Sequence, residues 1–323
     1  MTAANQGGNG MQTGEPTRNL LILQETSLQD PSDWMAIKQR IERDAPDIEV
    51  RIANVRDRSP VTARWQSRRP SLVFSPSVLF GYVPRGGAVF SGRFLGKDEQ
   101  LRRLSSIGIL TPLTETLCYA RSFEPKEWGD YVIVKPNNFN SGKGVKLVRT
   151  TDVSARYNEL TAFVNDRLLV QPFIDHCEGE YPTEFRVLTL FGRALYCAKN
   201  RWGNMRPPLA EVAANPLGVI ASNNKEMGGR IRSICNDAEI ISLGERAHQA
   251  FPECAVLGVD IIREKQSERL YVLEVNPHGA VWHLSSPLAK TFDPQYVRQC
   301  YDQFNALDRT ADVLIQKTRT AAC

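Results

Sequence analysis

Leu257-Gly258-Val259-Asp260-Ile261-Ile262 and Leu270-Tyr271-Val272-Leu273-Glu274-Val275-Asn276 are two short apolar runs joined by the polar stretch 264–269. Both are rich in β-branched and aromatic residues, and the charged link is short, so the pair reads as an antiparallel hairpin. Side chains alternate faces along a strand, so Glu274 and Asn276 point the same way. Asp260 can meet them from the partner strand. Two carboxylates and an amide oxygen then converge on an otherwise apolar sheet, where an uncompensated charge is too costly. A hard cation answers that need, and magnesium held by a few carboxylates plus nucleotide phosphates fits best. Taken alone, the hairpin also admits three polar groups on a solvated face.

Residues upstream weigh against that alternative. Tyr131-Val132-Ile133-Val134-Lys135-Pro136 is a strand that delivers Lys135 from within an apolar run. Asn137-Asn138-Phe139-Asn140-Ser141-Gly142-Lys143-Gly144-Val145 follows directly, and then a second strand, Lys146-Leu147-Val148-Arg149. A small glycine-bearing loop between strands lets backbone N–H groups approach phosphate oxygens closely. It is not a P-loop, because Gly144 stands where that motif has Ser or Thr and the flanks are two strands. An isolated loop of this kind could be an ordinary hairpin turn. A lysine just before it and an acidic hairpin downstream favour the phosphate reading.

The order Lys135, glycine loop, Val170-Gln171-Pro172-Phe173-Ile174, Glu184-Phe185-Arg186-Val187, Gly258-Val259-Asp260, Glu274-Val275-Asn276-Pro277 resembles the ATP-grasp superfamily. Within it the chain is most similar to the branch of glutathione synthetase and ribosomal-protein glutamate ligase. The resemblance covers roughly residues 97–290 and implies an α+β fold in which two α+β subdomains clasp ATP. Carried over residue by residue, it implies that Lys97 and Lys135 meet phosphates. Asn140, Ser141, Gly142, Lys143, Gly144 and Val145 would form the flap over the β- and γ-phosphates. Gln171, Pro172, Phe173 and Ile174 would be the hinge at the adenine edge, with Glu184 as the ribose acid and Arg186 the arginine two residues on. Arg201 would meet the transferring phosphate, with Arg193, Lys199 and Arg206 as near competitors. Asp260, Glu274 and Asn276 would hold the metal. The implied reaction is a carboxylate–amine ligation: ATP and Mg2+ (Mn2+ as a substitute) activate a small-molecule or peptide carboxylate as an acyl phosphate. An amine then displaces phosphate.

The physical logic agrees. Moving a γ-phosphoryl group onto a carboxylate brings two anions together, so lysines, an arginine and a divalent ion must supply compensating charge. A loop closing over the phosphates would keep water from an acyl phosphate. Two other accounts stay open: a kinase of the same fold acting on a small-molecule hydroxyl, and a non-catalytic module that binds ATP to regulate assembly.

At 323 residues the chain is long enough for two or three subdomains. The expected organisation is a flexible tail over 1–16, an N-terminal α/β domain over 17–96, a central subdomain with the phosphate loop over 97–170, and a metal-bearing subdomain over 171–323. Strands are expected at 18–24, 48–53 and 71–75, in a partly parallel sheet. Helices are expected at 33–42 (capped by Ser32), 97–107, 152–168, 237–251 and, as a single final helix, 294–318. No apolar run approaches the roughly 20 residues of a membrane span. Seven cysteines at irregular spacing, with no Cys-x-x-Cys pair, argue against a disulfide framework or zinc site and suit a reducing cytoplasm. A free-standing protein or a homo-oligomer is expected, without a membrane partner.

Between Arg51 and Arg103 eleven basic residues face three acids, with Trp65 in their midst. Such a rim would attract an acidic substrate, or it is a solvated arginine-rich loop; no motif supports nucleic acid. Past the metal strand, His278, Trp282 and His283 could touch a substrate, and Trp282 could equally fill core. The stretch from Trp202 to Ile231 departs from the glutathione-synthetase pattern, which leaves the substrate open.

Overall fold

A computed structural model describes residues 15–56, 60–80, 86–119, 121–140, 142–162, 164–214, 229–278 and 281–323. The expected tail therefore lies almost wholly outside the described residues, as does Ser141.

The N-terminal sheet is entirely parallel, in the order β2-β1-β3-β4: β1 Arg18–Gln24, β2 Ile48–Asn54, β3 Ser71–Val78 and β4 Ala88–Gly92. Helix α1, Pro31–Asp44, buries Trp34, Ile37 and Ile41, a 3.6-period stripe, against it. Each such side chain contributes roughly 1.5–3 kcal/mol when fully removed from water. The helix cap is Asp30, whose carboxylate accepts from the Ser32 amide, and not Ser32 itself. Pro31 at the first helical position cannot donate and needs no partner, and the helix starts two residues upstream of the expected position. Helix α2, Pro60–Gln66, places Trp65 under the sheet.

Helix α3, Lys97–Ser106, leads into a small antiparallel sheet ordered β5-β8-β6-β7: β5 Glu115–Thr116, β6 Tyr131–Pro136, β7 Lys146–Arg149 and β8 Leu168–Pro172. Short helices α4, Pro125–Trp128, and α5, Tyr157–Thr161, complete this lobe. The expected helix over 152–168 shrinks to α5, preceded by a turn of 3-10 helix at Thr150–Asp152. Asp166 is drawn away from helical geometry: its carboxylate accepts from the Asn138 backbone and side-chain amides at 2.7 and 2.8 Å.

The largest sheet is antiparallel, in the order β12-β11-β10-β13-β14. It comprises β10 Tyr181–Leu190, β11 Arg193–Trp202, β12 Arg230–Ile234, β13 Val256–Arg263 and β14 Leu270–Asn276, with β9, Cys177–Glu178, beside the start of β10. Helix α6, Leu209–Ala214, follows β11. One sheet face, with Val187, Cys197, Leu257, Val259 and Ile261, is buried under α7, Ala238–His248, and under Leu101 and Leu104 of α3. The other face changes character along β10. Leu188 and Leu190 join the α1 core, whereas Arg186 and Glu184, farther along the same face, open into a cleft.

The chain ends in two helices rather than one, α8 Pro294–Asp302 and α9 Ala306–Ala321. Asn305 interrupts them at φ +50°, a left-handed conformation that asparagine tolerates better than most residues. Apolar spacing continues across the break, which is why the sequence reads as one helix. Helix α9 packs its Leu314 and Ile315 into the N-terminal core, so the last residues of the chain help close the first domain.

Candidate active site

Between the small sheet and the large one lies a cavity of about 510 Å³, a size suited to small-molecule ligands. Its floor is a row across the large sheet: Glu274 opposite Asp260, Asp260 opposite Arg186, Arg186 opposite Ala198. The Arg186 guanidinium grips Asp260 through two bonds, Nε to Oδ1 at 2.6 Å and Nη2 to Oδ2 at 2.7 Å. Asn276 donates from Nδ2 to Asp260 Oδ2 at 3.0 Å. Burial opposes the Arg186 charge, and the attraction and hydrogen bonds of Asp260 outweigh it, raising its pKa further. Lys97 Nζ stands 3.4 Å from Glu274 Oε2 and donates to the Phe139 carbonyl at 2.5 Å.

The hairpin thus brings its three polar residues to one place, as cross-strand neighbours. Their donor atoms are all oxygens, the hard set that magnesium favours. Among the described residues no three His, Cys, Asp or Glu side chains cluster as a metal cage. Two carboxylates and one amide oxygen suit an ion that keeps waters and phosphate oxygens in its shell. The residues present therefore fit such an ion.

From the opposite lobe β6 delivers Lys135, 8% exposed. Burial lowers its ammonium to about 8; Glu274 pulls the value up and Lys97 pushes it further down. Among the described residues it makes no ion pair and no hydrogen bond. The loop that follows is pinned at its base. Asn137 is buried, its side-chain oxygen accepting from the Asp98 amide at 3.0 Å and its carbonyl from the Lys97 amide at 3.1 Å. Asn140, Gly142, Lys143 and Val145 line the cavity. Gly144 does not: it has φ +73°, and a Cβ there would come within 2.8 Å of Pro136 Cγ, so glycine lets the loop fold onto the strand end.

The linker between lobes also faces the cavity. Gln171 anchors through Nε2 to Thr114 Oγ1 at 2.7 Å. Pro172, Phe173 and Ile174 line the wall. The Phe173 amide is taken by the Tyr131 carbonyl at 2.9 Å, so that donor is not available to a purine. Arg206 clamps the linker, bonding both oxygens of Asp175 at 2.7 and 3.0 Å and lying over the Phe173 ring. Burial pushes the Asp175 carboxyl up, but Arg206 and the Cys177 amide outweigh it and hold it at about 2. Glu184 lines the cavity 3.2 Å from Arg230, and burial raises its pKa despite that partner.

Arg201 departs from expectation. It projects from the far face of β11 and lies 4.5 Å over the Tyr181 ring, while its neighbours Asn200 and Trp202 line the cavity. Strand alternation alone decides this, and the strand's parity cannot be read without its register. Lys199 shares the outer face and pairs with Glu178, and Arg206 is committed to Asp175. Among the described residues, the arginines that line the cavity are Arg186, Arg230 and Arg232. The last two were missed, although their i, i+2 spacing on a short strand was a usable signal.

Past β14, Trp282 is core: it is fully buried, stacks near Trp34 and donates to Asp33 at 2.9 Å. His278 and His283 line the cavity. His278 stacks on Phe94, its Nε2 is buried with no partner among the described residues, and burial lowers its pKa. Part of the basic stretch is paired locally. Arg69 and Trp65 Nε1 both bind Glu49 at 2.6 Å, and Arg51 covers the Trp65 ring. Arg58 and Arg85 lie outside the described residues.

No protein-family model and no curated protein sequence matches this chain. Solved structures do. The D-alanine–D-alanine ligase of Bacillus anthracis is 15% identical, with 94% of this chain and 99% of that one covered and a TM-score of 0.50. The ATP-grasp ligase PsnB, complexed with a minimal precursor, is 13% identical over 94% of this chain and 100% of that one, at 0.54. A RiPP-associated ATP-grasp ligase of Chryseobacterium gregarium, in complex with ADP and a leader and core peptide, is 13% identical over 93% and 97%, at 0.52. The chain has the ATP-grasp fold, an α+β architecture. No described helix is long and apolar enough to cross a membrane.

Proposed function

We propose that the protein is an ATP-dependent ligase that activates a carboxylate as an acyl phosphate and joins it to an amine, releasing ADP and phosphate. One observation carries this reading. Lys97, Lys135, Arg186, Asp260, Glu274 and Asn276 converge on a single cavity between the two lobes of an ATP-grasp fold. In-line transfer of a phosphoryl group between anions needs such a concentration of opposed charge.

Each residue then has a task. The apolar wall of Ile133, Ile262 and Leu273 receives the base, and Glu184 lies where a ribose hydroxyl can donate to it. Lys135 and Lys97 hold phosphate oxygens, and the loop 140–145 covers them and excludes water. Arg186, fixed by Asp260, presents a rigid cation beside the acceptor carboxylate. Asp260, Glu274 and Asn276 would hold magnesium, which when bound would neutralise charge on the transferring phosphates. A structure of PsnB that contains magnesium and ADP with the minimal precursor supports this assignment of partners. His278, on the cavity wall with its pKa lowered by burial, would take a proton from an attacking amine.

The test is a matrix of acids and amines incubated with ATP and magnesium, scored for phosphate release. Release only where an acid and an amine are both present supports the ligase. A stable phosphate ester on a hydroxyl compound would assign a kinase instead, and nucleotide binding without turnover in any pair would make the protein a binding module.

A further inference from the structure

The carboxylates lining the described cavity are Glu184, Asp260 and Glu274, and each has a cationic partner: Arg230, Arg186 and Lys97 respectively. Among the described residues, two buried or half-buried cations on the cavity walls make no ion pair. Lys135 stands at the phosphate end. Arg232 stands at the other, on β12, the edge strand of the large sheet.

Arg232 is held but not neutralised. Its guanidinium lies 4.0 Å over the Phe292 ring, and among the described residues it makes no ion pair and no hydrogen bond. A guanidinium held over a ring has planar N–H groups that can grip a carboxylate with two parallel bonds. The surroundings raise the cost of leaving it unpaired: burial lowers its pKa first, Arg230 and Arg186 push the same way, and together they outweigh the opposite pull of Tyr296 and Glu184. It sits in register with Asn200 on β11, which is itself opposite Glu184 on β10. Two strand spacings, about 10 Å, therefore separate its backbone from that of the strand carrying Arg186. Tyr296 lies near it as well.

We propose that Arg232 is a specificity residue that binds a second, non-reacting carboxylate of the acid substrate, so that the protein selects dicarboxylates over monocarboxylates. The inference rests on the ligase reading for the role of the bound acid, but the anion site itself does not require turnover. The reacting carboxylate lies near Arg186 and Lys97, and the other is carried toward the sheet edge and stacked wall.

The probes are succinate, glutarate and adipate, each paired with its monomethyl ester, which keeps the chain and removes one charge. Binding to the protein loaded with magnesium and a non-hydrolysable ATP analogue is followed by calorimetry. At least one diacid of the series should bind about tenfold more tightly than its ester, the worth of one charge-assisted bidentate contact. Arg232→Gln should bring that ratio close to one, and Arg232→Lys should restore part of it. Melting curves establish that both variants are folded. Equal binding of diacid and ester throughout the series, or an unchanged ratio in Arg232→Gln, overturns the proposal. Diacid selection at Arg232 without acid-driven ATP turnover would sink the ligase reading and leave the anion site standing. Turnover with monocarboxylates, indifferent to Arg232, would do the reverse.

Discussion

The two lobes handle buried charge in opposite ways. On the large sheet, Arg186 and Asp260 neutralise each other across adjacent strands, and Asn276 completes the group before any ligand arrives. On the small sheet, Lys135 is as buried as Asp260 and makes no ion pair among the described residues, and burial lowers its pKa to about 8 although Glu274 pulls it up. A satisfied pair fixes geometry; an unsatisfied cation stores a demand for an anion. The first arrangement costs stability when broken. The second costs function when removed, and the fold is then relieved of a desolvated charge.

The largest effect should come from breaking the pair. Asp260→Ala removes the bidentate partner of the half-buried Arg186, and the loss should approach the about 3–5 kcal/mol typical of breaking a buried pair. Denaturant unfolding checks this, and the double variant with Arg186→Met should recover much of the loss. Lys135→Met should leave the unfolding midpoint equal or higher while phosphate release falls by about 10²-fold or more, the usual worth of one charge-stabilising donor. If that variant unfolds as readily as Asp260→Ala, the contrast between lobes fails.

Much of this contrast was legible in the sequence. Glu274 and Asn276 two apart on one strand, Asp260 on its neighbour, and Lys135 ending an apolar run are local patterns, and local patterns fix which side chains share a face. What was hidden depends on register between strands far apart in sequence. Arg201 and Arg232 sit on strands of similar composition, and only the pairing of β11 with both β10 and β12 decides which enters the cavity. The break at Asn305 was hidden for a related reason. One left-handed residue changes the chain's direction without disturbing the apolar count.

A smaller effect is expected at the loop. Gly144→Ala forces a side chain into the left-handed region and against Pro136, a strain of roughly 1–2 kcal/mol. The half-saturating ATP concentration should rise severalfold in steady-state assays, while global unfolding changes little, because the loop lies outside the cores. A pH effect is expected in the well-packed lobe. His248 donates to the Cys254 carbonyl at 3.0 Å and lies 2.7 Å from Thr189 Oγ1; burial lowers its pKa to about 4. Its folded value lies below the unfolded value near 6.5, so the unfolded chain binds the extra proton first. Its contribution is complete above about pH 6.5 and is lost as pH falls toward 4, by at most about 1.4 kcal/mol per pH unit. Unfolding of His248→Gln across that range should lack this component of the slope.

Carboxylate activation itself is tested most directly by isotope transfer. An acid that supports turnover, labelled with 18O in its reacting carboxylate, is incubated with ATP, magnesium and an amine, and the released phosphate is weighed by mass spectrometry. One 18O atom per phosphate is the predicted result. Unlabelled phosphate beside a formed amide would contradict the acyl-phosphate account.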